Sequence, residues 1–340
     1  MLKRTWNCPE RPAHRVFDPE CNSFGITGMN SLLIVAVVSP WVKPLWIVAF
    51  GAVGGFLLMA ASVALAGLIA AKVAAVAQVT AKETFALPLF YVLLAIGVFM
   101  LLLFTFLPYN TFGEDIKMVK DQGFVLIMLL AMFLALWTAS SSVADEIEGR
   151  TALTLLSKPI SRWEFMCGKF LGIVIPVAAV FIILGAVFLT TVSYKVVYDA
   201  KEGAGLEPAS IQCRAELLQT IPGLILAFME TVTLTSISVA ISTRLPMLPN
   251  LMVCATVYVL GHMGPLLLKS SIGQFEIVGF VARFFSTVLP VLDHFNVQAA
   301  VATGVPVPLT YLAWAAVYCA LYSSVAMVLA LLLFEDRDLA

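Results

Sequence analysis

The chain has 340 residues, of which 61% are hydrophobic and only 12% are charged, and its formal net charge is -1. Soluble domains carry about 25% charged residues, so this composition excludes an ordinary soluble fold and predicts that lipid is the main solvent. This net charge carries no information about nucleic acid, and no basic patch is long enough to indicate binding to it, so we expect no nucleic-acid partner. The six cysteines and three histidines show no metal-ligand spacing, so we predict no metal site.

The N-terminal 28 residues differ from the rest of the chain. They mix charge, proline and asparagine and lack the apolar run of a secretory signal peptide. Two interpretations stay open: Met29 is the natural start, or residues 1–28 belong to a disordered tail. In either case we predict an N-terminal tail over 1–44, before the first apolar run.

Seven segments are apolar over the roughly 20 residues that a helix needs to cross a bilayer. Each is bounded by proline, glycine or charge, and together they predict an all-α polytopic membrane protein. In the first, Gly51 and Gly55 have the G-x-x-x-G spacing that permits close helix approach, although the same spacing fits ordinary packing. The segments are 45–71, 87–107, 123–143, 164–193, 221–241, 247–268 and 311–334.

Residues 272–300 are also apolar, but charged residues and Pro290 interrupt them every few positions. No uncharged window long enough for a span survives. We therefore predict a pair of short helices that enter the membrane partway and return. Such a segment is tolerated only against protein or water.

The distribution of basic residues predicts how the spans are oriented. The stretch 144–169 is the densest basic region outside the N-terminal tail, and basic loops favour the cytoplasmic side. We therefore place 144–163 and the C-terminus in the cytoplasm, which puts the N-terminus outside. The opposite loops include 108–123, which we predict to be a solvated external turn. They carry Lys117, Lys120, Lys195, Lys201, Arg214, Lys269 and Arg283.

A charged amphipathic stretch lies between the third and fourth apolar segments. Acidic residues at its start suit the N-terminal end of a helix over 145–157, and Pro159 should end that helix. Ser161 and Glu164 then have capping-box spacing, which predicts a new helix from about Arg162. From the residues alone, two interpretations remain: an ordinary cytoplasmic loop, or a lever that another protein grips.

This stretch resembles the signature of ABC-2 type transporter permeases, in which E-x-x-x-G-T is followed by L-L-S-x-P-[IV]-S-R and E-F-x-x-G-K. One departure is Arg150, which separates Gly149 from Thr151. The ending L-L-L-F-E-D-R-D-L-A is similar to the family's closing F-x-x-R-D, and the subgroup resembled is that of multicopper-enzyme-maturation permeases. The matching positions are Glu146, Thr151, Leu155, Leu156, Ser157, Pro159, Ile160, Ser161, Arg162, Glu164, Phe165, Gly168 and Lys169.

The resemblance covers 72–340 and implies a six-helix ABC-2 exporter-type core that begins with an interfacial helix at 72–86. It makes 45–71 an extra N-terminal transmembrane helix, 145–157 the cytoplasmic coupling helix and 272–300 an extracellular re-entrant pair. The coupling-helix residues expected to contact the ATPase are Glu146, Glu148, Arg150, Thr151, Leu155, Ser157, Pro159, Ser161, Arg162, Glu164 and Lys169.

The resemblance also implies partners. It predicts a homo- or heterodimer of permeases in a bacterial cytoplasmic (inner) membrane, working with a cytoplasmic ABC ATPase subunit that binds ATP and Mg²⁺. The chain has no G-x-x-x-x-G-K-[ST] motif, so we expect no cofactor in this chain and no ATP hydrolysis by it.

Glu230 lies about midway along 221–241, where an ionisable side chain is expensive in lipid. Thr231, Thr235 and Ser238 continue at helical spacing, which fits either a polar stripe along a transport path or a helix-packing seam. His262 is interpreted as a satisfied histidine at a helix break rather than as a copper ligand.

Two functions fit these observations. The first is an export permease that couples ATP hydrolysis by a separate subunit to substrate movement. The alternative is an ion-coupled secondary carrier that uses Glu230, against which the lack of an internal repeat counts.

Overall fold

The computed structural model describes residues 40–107, 109, 115–144, 161–202, 210–269, 280, 283, 289–302 and 304–335. Regular structure in these ranges is helical, without a strand. This confirms the predicted all-α fold. The helices are α1 Leu45–Ile69, α2 Ala71–Ala86, α3 Pro88–Phe106, α4 Asp115–Ala139, α5 Arg162–Glu202, α6 Ser210–Ser242, α7 Met247–Lys269, α8 Gln298–Ala302 and α9 Leu309–Glu335.

Within the described ranges, six helices are long and apolar enough to cross a membrane: α1, α3, α4, α5, α6 and α9. The remaining predicted span, 247–268, coincides with α7, which is 23 residues long. The side chains of α7 are described only from Met247 to Met263. This apolar stretch is shorter than each of the six spanning helices. The predicted interfacial helix coincides with α2.

Three helices extend well beyond the predicted spans. α4 begins at Asp115, α5 continues to Glu202, and α6 begins at Ser210. The predicted solvated turn over 108–123 is therefore wrong from Asp115 onward, and Lys120 in it is only 1% exposed. Apolar runs underestimate these helices because their ends contain buried charged residues such as Lys120 and Lys195.

The core of the bundle lies where α4, α5 and α6 meet. Phe124 and Phe188 are fully buried there, with their ring centroids 5.2 Å apart in an edge-to-face arrangement. Two glycines provide the space, since a Cβ at Gly123 would lie 2.1 Å from the Phe188 ring and one at Gly223 would lie 2.7 Å from the Phe124 ring. Closely packed aromatic pairs of this kind stabilise the core beyond their buried area.

α1 differs from the other spans. Val48 is its one buried residue, and no residue of its most apolar stretch is buried. It contacts α2 and α5 and leaves most of its surface for lipid.

The predicted re-entrant pair at 272–300 falls largely outside the described residues. Its described end contains a 3-10 turn, Leu292–Phe295, followed by α8. Leu292 packs on α7, where a Cβ at Gly261 would come 2.9 Å from it. The helix pair itself stays a prediction.

Candidate functional site

The predicted coupling helix at 145–157 lies outside the described residues, and with it the predicted contact residues before Ser161. The structure does describe the next segment, residues 161–172, here called the elbow. The predicted contact residues outside the description are Glu146, Glu148, Arg150, Thr151, Leu155, Ser157 and Pro159.

The elbow begins with the predicted cap. The backbone N–H of Ser161 donates a hydrogen bond to Glu164 Oε2 at 2.8 Å, and the Phe165 N–H donates to the Ser161 carbonyl at 3.1 Å. α5 starts at Arg162, as predicted. A capped first turn fixes the direction in which the chain enters the helix.

Two ion pairs connect the elbow to α2. Lys72 Nζ lies 3.8 Å from Glu164 Oε2, and Lys169 Nζ lies 4.0 Å from Glu83 Oε2. Lys169 is only 3% exposed, and its Nζ also lies 5.8 Å from the ring centroid of Phe165. The ammonium therefore interacts with both a carboxylate and an aromatic face.

Two glycines bring α5 against α2. A Cβ at Gly168 would lie 2.6 Å from the Val76 Cβ, and a Cβ at Gly172 would lie 2.6 Å from the Thr80 Cβ and 2.8 Å from the Ala77 carbonyl oxygen. Gly168 and Gly172 have the small-xxx-small spacing that allows helix backbones to approach. This explains the glycine of the E-F-x-x-G-K pattern, a role that the sequence reasoning missed.

The end of α9 lies beside the elbow. The Phe165 and Phe334 rings are stacked with centroids 6.1 Å apart, and the Arg162 guanidinium carbon lies 5.9 Å from the Phe334 ring centroid. Phe334 is the aromatic residue of the closing F-E-D-R-D motif. The two sequence patterns that carry the resemblance therefore meet in space.

α4 ends in a π-helical turn, Ser140–Ala144, immediately before the coupling segment. The fully buried Asn250 of α7 donates a hydrogen bond to Ser140 Oγ at 2.7 Å and another to Ser238 Oγ at 3.0 Å. Cys254 Sγ lies 3.4 Å from Asn250 Oδ1. Asn250 thus connects α4, α6 and α7, and nothing in the sequence pattern singled it out.

The predicted polar stripe on α6 is buried inside the chain. Glu230 is 1% exposed, and Thr231, Thr235 and Ser238 are fully buried. Thr231 Oγ1 donates to the Ala227 carbonyl at 2.9 Å, and Thr235 Oγ1 donates to the Thr231 carbonyl at 2.7 Å. These two hydroxyls are satisfied by their own helix.

Glu230 has a partner that the sequence did not reveal. His262 Nε2 of α7 lies 3.4 Å from Glu230 Oε1, at ion-pair distance but without hydrogen-bond geometry. His262 Nδ1 lies 3.2 Å from the Tyr258 carbonyl oxygen. The predicted helix break at His262 is wrong, because α7 continues to Lys269.

The contacts of His262 define the chemistry of this pair. Nδ1 lies at hydrogen-bond distance from a carbonyl oxygen, which leaves Nε2 as the imidazole atom that faces the Glu230 carboxyl group. A polar partner at this distance offsets part of the cost of burying that carboxyl group in the bundle.

The comparison with known families decides the identity. Residues 106–339 match the model of the ABC-2 family transporter proteins. The chain belongs to the ABC-2 transporter family. No curated protein matches it in sequence. As an ABC-2 transporter protein it is a membrane permease and not the ATPase, which implies an ABC ATPase partner.

The family match leaves the beginning of this ABC-2 permease uncovered. It starts at the last residue of α3, so α1, α2 and the rest of α3 precede it. The predicted boundary of the permease domain at residue 72 therefore stays a prediction.

The end of the permease remote from the elbow contains two buried lysines, Lys120 and Lys195, each 1% exposed. Lys120 pairs with Glu216 of α6, and its Nζ also lies 3.4 Å from the Val301 carbonyl oxygen. Lys195 Nζ lies 2.9 Å from Asp199 Oδ1.

Lys195 Nζ also lies 3.6 Å from Asp115 Oδ2 of α4. These ion pairs join α4 to α5 and α4 to α6. Among the described residues, no group of three or more His, Cys, Asp or Glu side chains could hold a metal ion.

Proposed function

We propose that this chain is the permease subunit of an ATP-driven exporter in a bacterial inner membrane, with its C-terminus in the cytoplasm. A separate ATPase subunit binds ATP and Mg²⁺, and the segment 145–157 receives its movement. A second permease copy, identical or related, completes the transport path.

The observation that carries this proposal is the construction of the elbow. When an ATPase moves one helix, the movement reaches the rest of the permease only if the connection to the next helix is rigid. The cap at Ser161 and Glu164 stiffens the first turn of α5. The glycine contacts and two ion pairs fix that turn to α2, so both helices should follow the coupling segment together.

The first experiment tests whether the predicted coupling helix binds the ATPase. We expect Glu148→Lys/Arg150→Glu to insert normally but to co-purify with less ATPase, because these two charges are predicted to contact the partner. Lys43→Glu, which changes an exposed residue near the end of the bundle remote from the elbow, is the control and should retain the ATPase. Equal co-purification of the charge-reversed variant and the control would contradict the proposal, and so would ATP hydrolysis by the isolated chain.

The second experiment separates binding of the ATPase from the coupling of its ATP hydrolysis to transport. Glu164→Ala should keep the ATPase bound but should reduce the substrate transported per ATP hydrolysed, since it removes the acceptor of the Ser161 N–H and lets the elbow fray. Substrate is found by measuring which compounds of a panel stimulate the ATPase activity of the reconstituted complex. Unchanged coupling in Glu164→Ala would argue that the elbow does not transmit movement.

The contact between Glu230 and His262 favours the second candidate function, an ion-coupled carrier, more than the sequence alone does. In either function we propose that Glu230, Thr231, Thr235 and Ser238 contribute the polar surface along which substrate or ion moves.

Glu230→Gln and Glu230→Ala should both assemble but transport less, with Gln closer to the wild type because its amide can still donate to His262 Nε2. Thr256→Ala, an exposed hydroxyl of α7, is the control. Transport that persists without the ATPase and stops when the ion gradient is dissipated would establish the carrier instead. Full turnover in both Glu230 variants would make the stripe a packing feature.

A further inference from the structure

An apolar groove runs between α1 on one side and α5 and α6 on the other, with a volume of about 610 Å³. This volume falls within the range of about 300–1,000 Å³ that is usual for small-molecule sites. Of the described residues that line it, only Ser62 has a polar side chain, and its hydroxyl already donates to the Met59 carbonyl at 2.8 Å. Water would find no partner in this groove.

The length of the groove suits a hydrocarbon chain. Its lining extends along α1 from Ile47 to Ala66, which corresponds to about 28 Å at the rise of an α-helix. The groove therefore fits within the roughly 30 Å depth of a bilayer's hydrocarbon core, where acyl chains are the surrounding molecules.

A positive charge lies beside one end of the groove. The Arg214 guanidinium carbon of α6 lies 6.0 Å from the ring centroid of Trp46, the residue before the groove-lining Ile47. Arg214 is exposed, and it makes no ion pair within the part of the chain that the structure describes. Tryptophan and arginine at the end of a membrane span are typical of headgroup depth, and guanidinium groups bind phosphate well.

We propose that this groove binds one phospholipid, with an acyl chain between α1 and the α5–α6 surface and the phosphate on Arg214. The bound lipid fills the volume that separates α1 from the bundle, so α1 is held to the permease partly through the lipid. The site is separate from the elbow and from Glu230, and it does not depend on the function proposed above.

Two glycines of α1 provide a matched test. A Cβ at Gly51 or at Gly54 would meet nothing within 4 Å, so a larger side chain is sterically tolerated at both positions, yet only Gly51 lines the groove. The full chain is purified with its ATPase in mild detergent, and its retained phospholipid is quantified by mass spectrometry. Wild type and Gly54→Leu should retain phospholipid, and Gly51→Leu should lose most of it. If Gly51→Leu does not fold, Ser62→Leu, which fills the same groove, replaces it.

The headgroup is tested on delipidated complex with added phosphatidylglycerol, and with palmitate as the probe for a chain alone. Arg214→Gln should weaken phosphatidylglycerol binding roughly tenfold, as loss of one charge-assisted contact implies, and should leave palmitate binding unchanged. Arg244→Gln, an exposed arginine at the elbow end, should alter neither.

Three outcomes would overturn the proposal. The first is equal phospholipid retention in Gly51→Leu and Gly54→Leu. The second is loss of the second permease copy, with phospholipid unchanged, in Gly51→Leu alone, which would make the groove a protein contact. The third is equal phosphatidylglycerol binding in wild type and Arg214→Gln, which would remove the phosphate site.

Discussion

At the elbow end of the bundle, α2 and α5 touch through Gly168 and Gly172 and share ion pairs that reach water. At the remote end, Lys120 and Lys195 are buried among carboxylates from neighbouring helices. Close glycine contacts keep α2 and α5 together, so this helix pair is expected to move as one unit. At the remote end, removing a carboxylate would leave a lysine ammonium buried without its counter-charge, which is strongly destabilising. The remote end therefore resists separation of α4 from α5 and α6, whereas the elbow end holds α2 on α5.

The largest effect should come from breaking the remote end. Glu216→Ala leaves the ammonium of Lys120 buried without its carboxylate, and we expect a loss of about 3 kcal/mol in the free energy of unfolding. Thermal unfolding of the purified chain in detergent measures it. The double variant Lys120→Met/Glu216→Leu should recover most of that loss, because it removes both charges. A double variant as unstable as Glu216→Ala would show that the pair does not hold this end.

A smaller effect is expected from Gly168→Ala at the elbow. The new Cβ would lie 2.6 Å from the Val76 Cβ, and overpacking of this kind costs about 1–3 kcal/mol. Val76→Ala in the same chain should restore stability by making room, whereas Gly51→Ala, where a Cβ meets nothing, should not destabilise the chain, because alanine favours a helix more than glycine does. The readout is again the thermal unfolding temperature. If Val76→Ala does not restore the unfolding temperature of Gly168→Ala, contact with Val76 is not the cause of the destabilisation.

Two variants separate the two interactions of Glu164, the hydrogen bond from the Ser161 N–H and the ion pair with Lys72. Glu164→Gln keeps an acceptor for the Ser161 N–H but loses the charge that faces Lys72, and Glu164→Ala loses both. We expect the Ala variant to be less stable than the Gln variant, because only the Ala variant leaves the Ser161 N–H without its side-chain acceptor. Hydrogen exchange of the first amides of α5 measures this locally. Equal hydrogen exchange in the two variants would show that the cap does not stabilise the first turn of α5.

The smallest effect should come from Lys72→Gln. The Lys72 side chain is 52% exposed, and exposed pairs contribute about 0.2–1 kcal/mol. The difference from wild type should disappear in high salt, since exposed charges are screened there. A salt-independent loss would mean that Lys72 acts through packing instead.

The sequence predicted features that depend on neighbouring residues. The cap at Ser161 and Glu164 and the start of α5 at Arg162 were predicted from a four-residue pattern. The apolar spans were predicted because lipid requires long uninterrupted helices. Both are local consequences of physical chemistry, and a single sequence contains them.

The sequence alone could not predict which side chains contact each other between helices. Lys120 was expected in a solvated turn because its partner Glu216 lies 96 residues away. His262 was expected at a helix break, and its approach to Glu230 depends on how α6 and α7 pack. Helical periodicity defines the face on which a side chain lies but not the helix that covers that face.

The π-helical turn Ser140–Ala144 has a consequence for geometry. Such a turn contains one residue more than α geometry would, and each residue of an α-helix turns the chain by about 100°. Rewinding this turn into α geometry would therefore rotate the residues that follow it, where the coupling helix is predicted, by about that angle around the α4 axis. Asn250 bonds Ser140 at the start of the turn, so the rotation would begin beyond a fixed point. The extra residue of this turn thus corresponds to one rotation step of about 100° between α4 and the residues after it.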